Sequence, residues 1–170
     1  MIRTKVKINI TAFTIDPAEE ERIIAAHKGD RDEARAETDA ASERIDMSLF
    51  GDLCTEDGQT VLRYTGSDGA LCTLSFLPSE PESVTVTREA VDNSFVLFCS
   101  MREPIVDCDY KMLGMSFPMT LLTHGVRNTI KNKKGQIRLN YTLSARGVPM
   151  QRVRVSVRVL PAEEEMRERA

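Results

Sequence analysis

The chain has 170 residues, of which 41% are hydrophobic and 29% charged, and its formal net charge is -3 at pH 7. This length suits a single domain, and the balance of apolar and charged residues excludes a disordered chain. No apolar run approaches the ~18 residues of a membrane-spanning helix, and a net charge this small leaves only local charge clusters to direct binding.

The first predicted element is a β-strand over residues 2–13. Apolar and polar side chains alternate there, with Val6 and Ile8 on the inward side and Lys5 and Lys7 on the outward side, which is typical of a strand with one buried face. This start has no continuous apolar run of a signal peptide, so we predict a cytoplasmic protein without membrane association. The scattered cysteines fit unpaired thiols in that reducing compartment better than a zinc site or disulfides; they are Cys54, Cys72, Cys99 and Cys108.

A charged, alanine-rich stretch at residues 17–42 follows the first strand. Asp16 and Pro17 are typical of the start of a helix, and Gly29 is typical of a break between two short helices. We therefore predict a helical insertion on the rim of the main fold, anchored by Ile23 and Ile24. Its charged surface favours a solvated decoration over a functional lid.

The remainder of the sequence, from Glu43 to Leu160, predicts one strand after another. Tight turns such as Asp68-Gly69 join these strands, and no amphipathic helices alternate with them. The pattern predicts an all-β fold, a closed antiparallel β-barrel built as an up-and-down meander, in one domain over residues 1–160. Residues 161–170 are predicted to form a charged tail.

The last two predicted strands suggest a register and a charged face. Residues Val153, Val155, Val157 and Val159 alternate toward the interior, and a three-residue loop at residues 147–149 would pair Tyr141 with Val155. The same register would place Arg138 opposite Arg158, and opposed like charges destabilise a sheet unless an anion lies between them. The predicted interaction face consists of Lys134, Arg138, Arg154 and Arg158.

A spaced series of residues in the second half of the chain resembles a known family. The series is Tyr110-Lys111-Met112, Phe117, Met119, Leu121, Thr123, Val126, Ile130, Gly135, Ile137, Leu139 and Tyr141. It is similar to the YwiB-like family of small bacterial calycin-type β-barrels, which is grouped as a domain of unknown function. The resemblance covers residues 110–160 well and the earlier strands loosely, and the stretch 17–42 is not a usual part of the family pattern. It implies a closed barrel of eight to ten strands related in shape to the lipocalins, and it implies no activity.

Catalytic chemistry finds little support in the sequence. The only histidines are His27 and His124, and no nucleophile motif accompanies them. Asp107 and Asp109 share one face of a predicted strand, where a solvated surface is favoured over a cation site. We predict no catalytic residue, metal ligand or cofactor, and enzyme activity is disfavoured although it stays open.

The leading functional hypothesis is a non-enzymatic binding module for a small apolar or amphipathic molecule. A closed barrel can hold one small ligand or be filled by side chains, and both outcomes stay open here. The inward residues that could orient such a ligand are Thr123, Tyr141 and Tyr110.

The alternative hypothesis is a protein- or RNA-interaction module that uses the outer Arg and Lys face. Nucleic acid is disfavoured but stays open, because the sequence has no Trp and no clear exposed aromatic for base stacking. A protein partner or a second copy of the chain is the other candidate. Acidic residues in the insertion and in the tail, Glu163 to Glu165, offer an internal counterpart to the basic face.

Overall fold

The computed structural model describes residues 3–162. Ten strands follow one another antiparallel, and the last closes on the first, so the predicted closed up-and-down barrel is confirmed. The strands are β1 (Arg3–Ile15), β2 (Glu43–Glu56), β3 (Gln59–Thr65), β4 (Leu71–Phe76), β5 (Ser83–Glu89), β6 (Asn93–Ser100), β7 (Ile105–Met112), β8 (Met115–Asn128), β9 (Gly135–Ala145) and β10 (Val148–Pro161).

Short turns with two left-handed residues connect several of the hairpins. Asp57-Gly58, Leu113-Gly114 and Arg146-Gly147 each have φ between 51° and 79° at both central positions. Turns of this kind match the right-handed twist of the flanking strands, and glycine at the second position adopts this backbone without strain. The meander therefore follows from local turn chemistry as well as from the alternation within the strands.

The barrel interior is filled by side chains. Ile8, Leu62, Leu97, Leu121 and Ile137 are each no more than 1% exposed, and they belong to one continuous hydrophobic cluster. The four alternating valines of β10 face this cluster as predicted: Val157 and Val159 are buried, and Val153 and Val155 pack against it.

The helical insertion between β1 and β2 is confirmed, with α1 (Pro17–Ala26) and α2 (Arg31–Ala41). The Asp16 carboxylate accepts a hydrogen bond from the Ala18 N–H at 2.9 Å, and the helices separate at Gly29, whose φ is +81°. Ile23 anchors the insertion at 5% exposure, whereas the second predicted anchor, Ile24, is 54% exposed. No helix of residues 3–162 is long and apolar enough to cross a membrane.

The predicted register of the last hairpin is wrong by two residues. Tyr141 pairs with Val153, and Arg138 pairs with Ser156, because the turn is the two-residue Arg146-Gly147 and a bulge follows between Pro149 and Gln151. Arg158 therefore lies opposite Gln136, not opposite Arg138. A shift of two residues preserves which face each side chain occupies, so the inward valines and outward arginines stay where the alternation placed them.

The last strand extends one residue into the predicted tail. Pro161 ends β10 and Ala162 is buried. The acidic residues Glu163 to Glu165 lie outside the described residues.

Candidate functional site: an arginine groove on the outer face

Charge is segregated along the chain. None of the 26 Asp and Glu residues lies between Lys111 and Ala162, whereas ten of the 23 Lys and Arg residues do. This stretch contains all of β8, β9 and β10, so these three adjacent strands carry no acidic side chain. The ten basic residues are Lys111, Arg127, Lys131, Lys133, Lys134, Arg138, Arg146, Arg152, Arg154 and Arg158.

A β-bulge in β8 places Arg127 on this basic side. Pairing with β9 shifts between Thr123 and Gly125, which leaves His124 as the extra residue. Without the bulge, strict alternation from the inward Thr123 would turn position 127 toward the interior. With it, Val126 packs against the core and Arg127 lies directly opposite Arg138 on the outer face.

The groove lies between this outer face and α2, with a volume of about 490 Å³. Arg127 and Arg138 line it together with Arg154 from β10 and Arg35 from α2. Gly125 leaves one wall without a side chain. Polar and apolar side chains of β1, β9 and β10 complete the lining, among them Thr11, Phe13, Asn140 and Ser156.

Two arginines beside the groove are paired with the insertion. Arg152 Nη1 lies 3.2 Å from Glu20 Oε1, and Arg154 pairs with Asp39 through Nη2. Arg152 Nε also donates to Asn140 Oδ1 at 2.8 Å, which leaves the amide N–H groups of Asn140 as donors. The acidic insertion is thus held on the sheet by carboxylate–guanidinium contacts, and the internal counterpart predicted for the basic face is found in its helices.

The aromatic ring in the groove is already covered by cations. The Arg154 guanidinium lies 4.9 Å from the centroid of the Phe13 ring, and the Arg44 guanidinium lies 5.3 Å from it. Phe13 therefore orders the arginines by cation–π contact, and its faces are not open for stacking.

Three groove arginines keep their charge available. Within residues 3–162, Arg35, Arg127 and Arg138 form no ion pair with a carboxylate, in contrast to Arg154. Two like charges on directly opposed strand residues repel each other, and an anion between them removes that repulsion. The pair Arg127 and Arg138 is therefore the most direct indication of an anion site on this face.

The predicted interaction face divides between two neighbouring clefts. Arg138 and Arg154 line the groove, whereas Arg158 and Lys134 line a cleft of about 430 Å³ at the β8–β9 connection, with Lys131. The sequence analysis did not include Arg35, and although Arg127 belongs to the basic segment of the sequence that ends at Arg138, its position opposite Arg138 was not predicted. Counting acidic residues segment by segment would have shown the acid-free stretch, although the bulge that turns Arg127 outward leaves no clear sequence signal.

The predicted ligand-binding residues Thr123, Tyr141 and Tyr110 all face the interior, but they line no cleft with the arginines. Thr123 and Tyr141 are buried and lie opposite each other on β8 and β9. Burial raises the pKa of the Tyr141 hydroxyl, and the neighbouring Cys99 and Tyr110 raise it further. Tyr110 stacks on Phe95 with 5.4 Å between the ring centroids and accepts a hydrogen bond from Asn93 Nδ2 at 3.4 Å.

The two histidines lie in different environments. His27 lies beside Glu33 and Glu37 of α2, and the hydrogen bond to Glu37 is the main cause that raises its pKa. His124 Nε2 lies 2.7 Å from Thr142 Oγ1, and burial, aided by Arg152, lowers its pKa. Within the hydrogen bonds of residues 3–162, His27 contacts carboxylates and His124 contacts the Thr142 hydroxyl, and neither histidine contacts a Ser or Cys side chain. Residues 3–162 contain no group of three His, Cys, Asp or Glu side chains that could hold a metal ion.

Comparison with known proteins identifies a family and a solved structure that are similar to the chain. A family model described as a domain of unknown function, DUF1934, matches residues 31–157. The crystal structure of the ywiB protein from Bacillus subtilis is similar over 92% of this chain and 92% of that chain, with a TM-score of 0.62 and 12% sequence identity. At that identity the likeness shows the fold alone, and it confirms the resemblance that the series from Tyr110 to Tyr141 indicates. No curated protein matches the chain.

Proposed function

The chain belongs to the DUF1934 family of domains of unknown function, and we propose that it is a non-enzymatic binding module whose outer basic face holds single-stranded RNA. The observation that carries this proposal is the acid-free stretch from Lys111 to Ala162, which contains ten cations and supplies most of those that line the groove and the neighbouring cleft. Electrostatic attraction to phosphates supplies most sequence-independent affinity for nucleic acids.

The free arginines of this face are suited to binding phosphate groups. A guanidinium presents a planar fork of donors that matches phosphate oxygens and binds them in a bidentate manner. The groove and the cleft at Lys134 follow one another through Arg138, Gln136 and Arg158, so they form a track rather than a single point.

A protein partner fits this track less well. Interfaces between proteins usually have apolar or aromatic anchors at their centre. The side chains between the free arginines are instead Asn140, Ser156 and Gln136, and the Phe13 ring is covered by Arg44 and Arg154. Because no open aromatic is available for stacking here, binding through this face would depend on the RNA backbone more than on its bases.

The hypothesis of an apolar ligand in the interior stays a prediction. The large buried side chains of the core cluster occupy the space that such a ligand needs, and the clefts described above open on the outside of the barrel. The outer face is therefore the better-supported site. We also propose a cytoplasmic location, supported by four cysteines that are all unpaired thiols.

Fluorescence anisotropy with a labelled oligouridine of 12 nucleotides tests the proposal. We expect affinity to fall steeply as salt rises from 50 to 200 mM, and to fall at least tenfold in the variant Lys131→Gln/Lys134→Gln/Arg138→Gln. The matched control is Arg22→Gln/Lys28→Gln/Arg102→Gln, which removes the same charge from exposed positions elsewhere. Equal losses in both variants, or equally tight binding of a polyglutamate peptide of the same length, would overturn the assignment to RNA.

A further inference from the structure

We propose that the arginine groove is a discrete site for a small anion with two or three linked phosphates, a diphosphate or triphosphate. The inference rests on the basic face of the proposed function, but it concerns a free small molecule and does not require an RNA strand.

The groove has the shape of a small-molecule site. The sheet forms its floor and Arg35 of α2 reaches it from above, so a bound molecule would be contacted from two sides. Its volume of about 490 Å³ lies within the range of ~300–1,000 Å³ that is common for such sites. A short polyphosphate fits within this groove alone and does not need the neighbouring cleft at Lys134.

The charge in the groove exceeds what one phosphate neutralises. Asp39 offsets Arg154, and the guanidinium groups of Arg35, Arg127 and Arg138 remain. A single phosphomonoester carries a charge of about -1.5 to -2 at pH 7. Linked phosphates bring more charge at the same place, and they match three free guanidinium groups better than one phosphate does.

The opposed pair supplies the centre of the site. Side chains that face each other across antiparallel strands have Cβ atoms about 4.5–5.5 Å apart, so both guanidinium groups of Arg127 and Arg138 can reach one phosphate. The neighbouring Asn140 amide and Ser156 hydroxyl add neutral donors on the same face. The groove lining contains no Asp or Glu, so the arginines would neutralise the phosphates directly, with no ligands for a bridging metal ion in the lining.

Gly125 keeps this space open. A Cβ at this position would meet only the Asn140 Cβ, at 3.9 Å, and the backbone of Gly125 does not have the left-handed conformation that requires glycine. A large side chain introduced here would therefore occupy the groove without removing any charge.

Calorimetric titration with inorganic pyrophosphate and inorganic triphosphate at 100 mM salt tests the inference. We expect saturable binding and a higher melting temperature with either probe, and no comparable effect of sulfate at the same ionic strength. The variant Arg127→Ala/Arg138→Ala should lose at least tenfold in affinity, and Arg22→Gln/Arg102→Gln should lose none. Gly125→Leu should also abolish binding. Circular dichroism reports whether each variant is folded. If Gly125→Leu does not fold, the affinity of Arg127→Ala/Arg138→Ala alone decides the test.

The outcomes separate this inference from the proposed function. Pyrophosphate binding without RNA binding overturns the RNA proposal and supports the polyphosphate site. Absence of pyrophosphate and triphosphate binding to the wild-type protein, or binding that survives Arg127→Ala/Arg138→Ala, overturns the site even if RNA binds.

Discussion

Thr123 and Tyr141 lie directly opposite each other on β8 and β9 with both side chains inside the barrel, yet the Thr123 hydroxyl has no hydrogen-bond partner in the described part of the chain. Thr123 is 3% exposed. A buried hydroxyl without a partner costs about 1–3 kcal/mol relative to one that is satisfied. The prediction that Thr123 helps to orient an interior ligand can therefore be tested by removing the hydroxyl and measuring the free energy of unfolding.

Thr123→Val should leave the protein as stable as the wild type or stabilise it by about 1 kcal/mol, because valine has nearly the same shape and no polar atom to satisfy. Urea denaturation measures the difference, and Thr142→Val provides the contrast, since the Thr142 hydroxyl lies 2.7 Å from His124 Nε2 and would lose that bond. A loss of more than 1 kcal/mol in Thr123→Val would instead show that the hydroxyl has a hydrogen-bond partner in the folded protein.

The repulsion between Arg127 and Arg138 predicts that removing one of the two charges stabilises the protein. Arg138→Gln removes repulsion with Arg127 and should raise the free energy of unfolding by a few tenths of a kcal/mol, at most about 1 kcal/mol, at low salt. Arg63→Gln is the control, because Arg63 donates to both carboxylate oxygens of Glu56 at 2.7 and 2.8 Å and its loss should destabilise. The gain should shrink at high salt. A loss of stability in Arg138→Gln would show that the two arginines do not repel each other in the folded protein.

The alternation of residue types was enough to predict the barrel, but not the pairing of its last hairpin. The inward valines of β10 and the inward Tyr141 follow from a period of two, which any shift by two residues preserves. The pairing itself depends on whether Arg146-Gly147 forms a two-residue turn and on the bulge between Pro149 and Gln151. The alternation of residue types does not distinguish between a two-residue and a three-residue turn, and it does not show the bulge. The predicted opposition of Arg138 and Arg158 was therefore wrong.

The sequence predicted only part of the arginine groove, because a β-bulge and the packing of α2 determine the rest. Arg138 and Arg154 follow from alternation, but the position of Arg127 depends on the bulge at His124, which reverses the faces of all later residues in β8. Arg35 reaches the groove through the packing of α2 on the barrel, a tertiary contact that helix capping signals do not specify.

A close backbone approach makes Gly51 intolerant of substitution. A Cβ there would lie 2.5 Å from the Arg63 carbonyl oxygen and 2.5 Å from Ile8 Cδ1, although its φ is not in the left-handed region. Gly51→Ala should destabilise the protein by about 1–3 kcal/mol through overpacking. Gly125→Ala should cost less than 0.5 kcal/mol, because its Cβ would meet Asn140 Cβ at 3.9 Å. Equal effects of the two substitutions in urea denaturation would contradict the close packing of β2 on β1 and β3.

The thiols should differ in reactivity. Burial raises the pKa of Cys99 to about 12 and also raises that of Cys108. Because the thiolate is the reactive form, iodoacetamide at pH 8 should leave Cys99 unmodified in the folded protein and modify it after denaturation in urea. Mass spectrometry of the peptides gives the extent of labelling, and the half-buried Cys72 serves as the internal comparison. Labelling of Cys99 as fast as Cys72 in the native protein would mean that the barrel wall opens beside β6.

The two histidines should titrate on opposite sides of the ordinary pKa of 6.5. The hydrogen bond to Glu37, together with Glu33, raises the pKa of His27, and burial, with Arg152, lowers that of His124. The stabilisation that His27 provides is therefore fully present below pH 6.5 and is lost as the pH rises through the folded pKa of His27. The stabilisation that His124 provides is present above pH 6.5 and is lost as the pH falls through the folded pKa of His124. Proton NMR titration of the ring signals measures both values, and His27→Gln assigns the signals. In that variant the helices α1 and α2 should be cleaved by trypsin faster than in the wild type at pH 6, with a smaller difference at pH 8.5. A His27 pKa below that of His124, or equal protection of the insertion at pH 6, would contradict the contact between His27 and α2.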